Sequence, residues 1–326
     1  MTIPSDPLGR WWVELSSKNP DMVNMLRPSL ISFLAFDRSK SPGLAGTGFL
    51  LAATPNVAII VTAKHVLDGV RQIQQPREMH HPSSPFISSS SIKPTLSSNK
   101  IRAVWMGDKK AELLDVVYTH YSESLDIAVC IVTPQESATI DEISIPMSTM
   151  VPVVGDEVSM VSLGEMGVSE TEPISGQDRL RQKISISRSV SIRAGVVTKV
   201  FPEGYRQYKW PCFTTSIPAD PGMSGGFVTI AKADSTIAAC GVVCADNSTD
   251  DARTDVSICG ESVIGTIWPA LALQLPDEIP CTEDTPRLTL FDLIKLNRIP
   301  ATVGGIDQFE LTALGHGNFR ISLNNR

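Results

Sequence analysis

Three short stretches of this chain combine a reactive side chain with backbone suited to holding it in place. Ser224 lies in PADPGMSGGFVTI, Pro218 to Ile230, between Gly222 and the pair Gly225-Gly226 and just ahead of a strand-like run. His65 lies in VTAKHVLDG at the end of an apolar run, and Asp126 in SLDIAV at the start of another. A serine hydroxyl is a weak nucleophile at neutral pH. Acyl transfer needs a base to take its proton and an acid to hold the base in one tautomer. One Ser, one His and one Asp supply that set, and the chain order His, Asp, Ser is a known solution.

Each residue alone has a plainer reading. A histidine ending a strand is usually a polar surface group, and an aspartate before a strand is commonly a turn former. GMSGG alone is a tight loop, although glycines on both sides of a serine free the backbone to turn N–H groups toward a developing negative charge. The three together, in strand contexts and in this order, make coincidence a poor explanation.

The surrounding elements read as strands. Ile31 to Phe36, GTGFLLA (Gly46 to Ala52) and NVAIIVTA (Asn56 to Ala63) are short apolar or β-branched runs separated by Gly, Pro and Asn. They leave no room for crossover helices, so the connections are antiparallel. Ile101 to Met106, Ala111 to Tyr121 and Leu125 to Val132 continue the meander past a turn at Gly107-Asp108, after a Ser/Pro-rich loop from Gln72 to Lys100. Beyond a polar connector, Thr133 to Met150, a second series runs from Val154 to Ala245. Two such sets predict an all-β fold of two similar antiparallel units, each closed into a barrel because closure removes exposed edges.

The expected division is residues 1–150 for the first barrel with His65 and Asp126, 151–275 for the second with Ser224, and 276–326 for a short C-terminal α/β appendage. Glu261 to Leu275 reads as a helix or a buried extended stretch interrupted at Pro269. Leu290, Leu293, Ile294 and Leu296 are spaced for an amphipathic helix, and a hairpin is expected around Gly315 to Asn318.

Bulk properties narrow the function. With 326 residues the chain can bury a sizeable core, and a net charge of −7 without a Lys/Arg cluster argues against nucleic acid as a partner. The first thirty residues lack the basic start and apolar run of a secretory signal, and no apolar span is long enough to cross a bilayer, so a cytoplasmic protein without a membrane partner is expected. The six cysteines (Cys130, Cys212, Cys240, Cys244, Cys259, Cys281) lack metal-ligand spacing, and His80-His81 has no spaced acidic or cysteine ligands, so no cofactor or metal is expected.

As a set, these motifs resemble the chymotrypsin-fold, trypsin-like serine peptidases, in style nearest the non-secreted HtrA-like branch. The resemblance rests on Gly46-Thr47-Gly48-Phe49 before Thr62-Ala63-Lys64-His65-Val66, on Asp126-Ile127-Ala128-Val129, and on Gly222-Met223-Ser224-Gly225-Gly226, with VGDEV from Val154, RAGVV around Gly195 and CGVVCA as supporting strands. It spans roughly residues 30 to 275 and implies a chymotrypsin-like pair of six-stranded antiparallel Greek-key barrels. It implies a serine endopeptidase acting on a protein or peptide, with Ser224 as nucleophile, His65 as base and then acid, Asp126 orienting the ring, and the N–H groups of Gly222 and Ser224 as oxyanion hole. It also implies a side-chain pocket near Ile217, Pro218 and Ala219 and the strand Val243, Cys244, Ala245 and Asp246. Pro218 stands where trypsin-like enzymes proper carry a selecting aspartate, which points to small or apolar side chains. Met223 stands where secreted members carry the aspartate that pairs with a new N-terminus, so activation by that route is not expected.

Two alternatives remain open: a catalytically silent binding protein on the same fold, and a self-processing or partner-specific protease served by a regulatory protein partner. The self-processing reading predicts cleavage at one site on prolonged incubation at high concentration; an unchanged intact mass would count against it.

Overall fold

The computed structural model describes residues 11–36, 42–74, 101–107, 111–121, 125–134, 140, 144–170, 184–206, 208–230, 237–246, 261–278, 285–315 and 318–323. The Ser/Pro-rich segment beyond Gln74 with His80-His81, the Asp108 half of its neighbouring turn, and Cys259 and Cys281 lie outside the described residues. No helix among the described residues is long and apolar enough to cross a membrane.

A short strand β1 (Trp12–Glu14) and helix α1 (Pro20–Leu26) precede the first barrel. That barrel comprises β2 (Leu30–Phe36), β3 (Pro42–Thr54), β4 (Val57–Thr62), β5 (Arg102–Met106), β6 (Ala111–Tyr121) and β7 (Ala128–Pro134), closed in the order β2-β3-β4-β7-β6-β5 with every pairing antiparallel. The β-branched run Val57 to Val61 suits a pleated surface, and Phe33, Phe49 and Trp105 fill the interior. Trp105 satisfies its indole N–H on Pro28 O at 2.6 Å. Between β4 and β7 in sequence lies helix α2 (Lys64–Gln74), whose Val66, Leu67 and Val70 are buried against the barrel.

The second barrel uses β8 (Glu157–Glu170), β9 (Ile184–Phe201), β10 (Cys212–Thr215), β11 (Phe227–Ile230), β12 (Ala239–Asp246) and β13 (Ser262–Thr266). They run in the order β9-β10-β13-β12-β11-β8, and the β8–β9 pairing closes the ring. Strand β9 is long enough for one edge to pair with β8 while the other takes β10 and, farther along, β1. So β1 precedes the first barrel in sequence yet lies on the second. The interior holds Met160, Phe213, Val228 and Ile264, joined by Ile217, Met223 and Val243. The two barrels touch through Phe49 and Phe227, whose ring centroids are 5.3 Å apart. The all-β expectation of two closed six-stranded antiparallel barrels therefore holds, with a smaller β/helix region after them.

In that region Glu261 to Leu275 resolves as β13 followed by a 3-10 turn, Trp268–Ala272, that admits Pro269 in its first turn. Then come β14 (Gln274–Pro276) paired with β15 (Arg287–Thr289), helix α3 (Leu290–Lys295), and the hairpin of β16 (Phe309–Gly315) and β17 (Asn318–Leu323). Thr289 and Asp292 cap α3 reciprocally. Leu290, Leu293 and Ile294 are buried as their spacing predicts, but Leu296 is exposed because the helix ends at Lys295 and Asn297 turns to a φ of 55°.

The region is tied to the first barrel by the Gln274 N–H, which donates to His120 Nδ1 at 3.0 Å. Burial first, and the charge of Arg287 second, hold the His120 pKa down at about 4. Between about pH 6.5 and 4 the unfolded chain takes up a proton here that the folded chain refuses, so stability falls with pH across that window, by up to about 3 kcal/mol. His120→Gln should flatten the fall in thermal midpoint between pH 6.5 and 4; an unaltered slope would contradict this.

Candidate active site

His65 sits in the first turn of α2 rather than at a strand end. The helix begins where the Lys64 N–H donates to Asp126 O at 3.1 Å. The same aspartate holds the next residue twice: Oδ1 accepts the His65 backbone N–H at 2.9 Å, and Oδ2 lies 2.7 Å from His65 Nδ1. An ionised carboxylate only accepts, so this pairing puts the ring proton on Nδ1 and leaves Nε2 with its lone pair. Buried Leu125 and Ile127 flank Asp126 and fix its segment at the head of β7. The His65 side chain is 43% exposed and that of Asp126 13%, so the ring is reachable while its orienting acid is shielded.

Ser224 lies between β10 and β11 in two successive tight turns. Met223 N–H donates to Asp220 O at 3.0 Å, and Gly226 N–H to Met223 O at 3.0 Å. Each turn has a left-handed glycine in its third position, Gly222 at φ 93° and Gly225 at φ 85°. Proline cannot take positive φ and Ser224 does not, so both turns are type II. Ser224 is thus held between the two glycines. The buried Met223 side chain anchors the loop in the second core, and β12 grips it through Gly225 N–H to Val243 O (2.8 Å) and Val243 N–H to Gly226 O (2.9 Å).

The glycines also permit contact with the first barrel. A Cβ on Gly225 would stand 1.9 Å from Thr47 O in β3 of the first barrel, while within the second barrel one on Gly226 would stand 2.5 Å from the Ser162 side chain in β8. Thr47, fully buried in β3, donates its N–H to Ser224 O and its hydroxyl to Gly222 O, each at 2.8 Å. Ser162 Oγ donates to Met223 O at 2.7 Å. Gly46 is wedged between Val66, next to His65, and the Ser224 carbonyl.

These contacts bring the segments of all three candidate residues together where the barrels meet. His65 and Asp126 are directly bonded. The Ser224 hydroxyl points to Cys244 O at 3.5 Å, and among the described residues no hydrogen bond joins it to His65. The backbone N–H groups of Gly222 and Ser224 likewise find no acceptor among the described residues. Burial first, then the charge of nearby Asp126, pushes the Cys244 thiol well above its usual range, so it stays neutral beneath the site.

The expected pocket residues divide. Ile217 and Val243 have no exposed surface and belong to the second core, Cys244 is buried as well, and Ala219 nearly so, so none of these side chains offers an open wall. The inward pleat of β12 and the anchoring of the loop account for this. Pro218 is partly exposed, and its carbonyl accepts from Arg193 Nη1 at 2.7 Å. Ala245 and Asp246 continue β12 opposite Val263 and Ser262. Sequence reasoning missed Thr47 as a structural partner of the serine loop; its only signal was a small hydroxyl residue between two glycines.

A family model described as "Trypsin-like peptidase domain" matches residues 46–232. The chain belongs to the trypsin-like peptidase family. The matched stretch carries all three motifs, from Gly46 in β3 through His65 and Asp126 to Ser224. No curated protein sequence matches the chain. Among solved structures, one described as "Structure of GrC" is similar at 12% identity, covering 75% of this chain and 91% of that chain with a TM-score of 0.40. That score adds nothing to the fold assignment, which rests on the strand register of the two barrels.

Thr47→Val keeps shape but strips the acceptor from Leu163 N–H and the donor from Gly222 O. Urea denaturation should show a loss of about 2 kcal/mol, against about 1 kcal/mol for Thr47→Ser, which keeps the hydroxyl. Equal losses would mean that the hydroxyl does not hold the loop.

Proposed function

We propose that this trypsin-like peptidase is an active serine endopeptidase. The observation that carries the reading is the double grip of Asp126 on His65, which fixes the ring and leaves Nε2 with its lone pair. A turn of the Ser224 side chain from Cys244 O toward Nε2 would complete the relay; such bonds are often long without substrate. Ser224 Oγ would then add to the scissile carbonyl as its proton passes to His65, and the carbonyl electron pair would become an oxyanion. The N–H groups of Gly222 and Ser224, without an acceptor among the described residues, suit that charge; one such donor is worth about 3 kcal/mol in the transition state.

Collapse of the tetrahedral species would break the C–N bond, with His65 returning the proton to the leaving amine. Water, deprotonated by His65, would then attack the acyl-enzyme and release the acid and Ser224. Asp126 would stabilise the imidazolium at each stage without taking its proton. The style of the His65, Asp126 and Ser224 motifs supports placement near the HtrA-like branch. With Ile217 and Val243 turned inward, the substrate side chain would meet backbone and Pro218 more than an apolar floor.

A mixed peptide library incubated with the protein and read by mass spectrometry tests this. The wild type should cut internal peptide bonds; Ser224→Ala and His65→Ala should each lose at least about a thousandfold in rate. Cleavage that survives Ser224→Ala would refute the assignment, and a folded wild type that cuts nothing would favour a silent binding protein.

A further inference from the structure

The Ser224 loop is restrained on a second side, away from the first barrel. Glu14 in β1 stands opposite Arg193 in β9. Its Oε2 accepts from Ser191 Oγ and Arg193 Nε, both at 3.0 Å, and its Oε1 from the Ile192 N–H at 3.2 Å and from the Ser16 hydroxyl. Burial pushes the Glu14 carboxyl up, but the bonds from Ser16, Arg193 and Ser191 outweigh it and hold the group below its usual value, charged at neutral pH.

Arg193 uses its remaining nitrogens on the loop. Nη1 donates to Pro218 O at 2.7 Å, and Nη2 pairs with the Asp220 carboxylate. Its side chain is only 12% exposed and lies against the Trp12 ring, 5.4 Å from the centroid. A planar guanidinium held by two carboxylates and a carbonyl has little freedom left. Close by, Ser216 Oγ donates to Trp11 O and accepts the Val196 N–H at 3.0 Å. Trp11, just ahead of β1, and Arg193 together therefore fix Ser216, Pro218 and Asp220.

Asp220 is the first residue of the type II turn that contains Gly222. Its carbonyl accepts the Met223 N–H and its own N–H rests on Met223 Sδ at 3.3 Å. Type I and type II turns share their end positions and differ by a flip of the central peptide, here Pro221–Gly222, which reverses the Gly222 N–H. Thr47 holds the Gly222 carbonyl from one side and Arg193 holds Asp220 from the other. We infer that Arg193 is a positioning residue for the Ser224 loop, braced by Glu14, so that β1 fixes the Asp220 end of the turn that carries the Gly222 N–H. The catalytic consequence rests on the endopeptidase reading; the restraint itself does not.

Arg193→Gln, with Glu14→Gln as a milder variant, tests it by two readouts on the full chain. The first is turnover of 4-nitrophenyl acetate, an ester that needs no side-chain pocket; the second is amide hydrogen exchange of residues 217–224 against α2. Arg193→Gln should lower kcat about tenfold to a hundredfold with KM within about twofold, and speed exchange in the loop but not in α2. Glu14→Gln should act in the same direction but less, and it decides the matter if Arg193→Gln fails to fold. A wild type that turns over, with variants that match it in kcat and loop exchange, would overturn the inference alone. A folded wild type without turnover would sink the endopeptidase reading, and loop exchange would then decide the restraint: faster upholds it, unchanged overturns it.

Discussion

Everything at the candidate site depends on Thr47 meeting the Ser224 loop. A single residue of the first barrel gives its N–H to Ser224 O and its hydroxyl to Gly222 O. Hydrogen bonds this short across a barrel interface demand backbone-to-backbone contact, which no side chain at Gly225 would allow. The glycines around Ser224 thus do two things at once: they supply the left-handed third positions of two turns, and they let the loop lie flat against the other barrel. Without that contact the Ser224 loop would lose its direct tie to the barrel that carries His65 and Asp126.

The remaining restraints surround the same loop from different directions. Met223 anchors it from within the second core, β12 stitches Gly225 and Gly226, and Arg193 draws on Pro218 and Asp220. On the first barrel a single carboxylate, Asp126, orders both backbone and ring of His65. A loop fixed from several sides keeps N–H groups aimed before a substrate arrives, which is the condition under which such dipoles stabilise developing charge most effectively.

Local pattern made much of this readable in the sequence. The β-branched runs announced the strands, and the glycine-flanked Ser224, Asp126 and His65 stood out because each breaks an apolar pattern with a reactive group. The helix under His65 was hidden by its neighbour: KHVLDGV follows an apolar strand without a turn residue, although Val66, Leu67, Val70 and Ile73 carry a helical spacing. Which side chains of the expected pocket face outward was not readable for a related reason. Ile217 and Val243 are close to Ser224 in sequence or register, but proximity does not say on which side of a strand a side chain falls. The Glu14–Arg193–Asp220 chain left no trace, since its members come from distant segments and charge pairs carry no local signature.

The central claim is that the fold itself activates Ser224. Reaction with a fluorophosphonate, followed by intact mass and peptide mapping, tests it most directly. The account predicts one adduct, on Ser224, formed by the folded protein and not after unfolding in urea. A well-folded protein that gains no adduct, or gains it at another residue, would contradict the account.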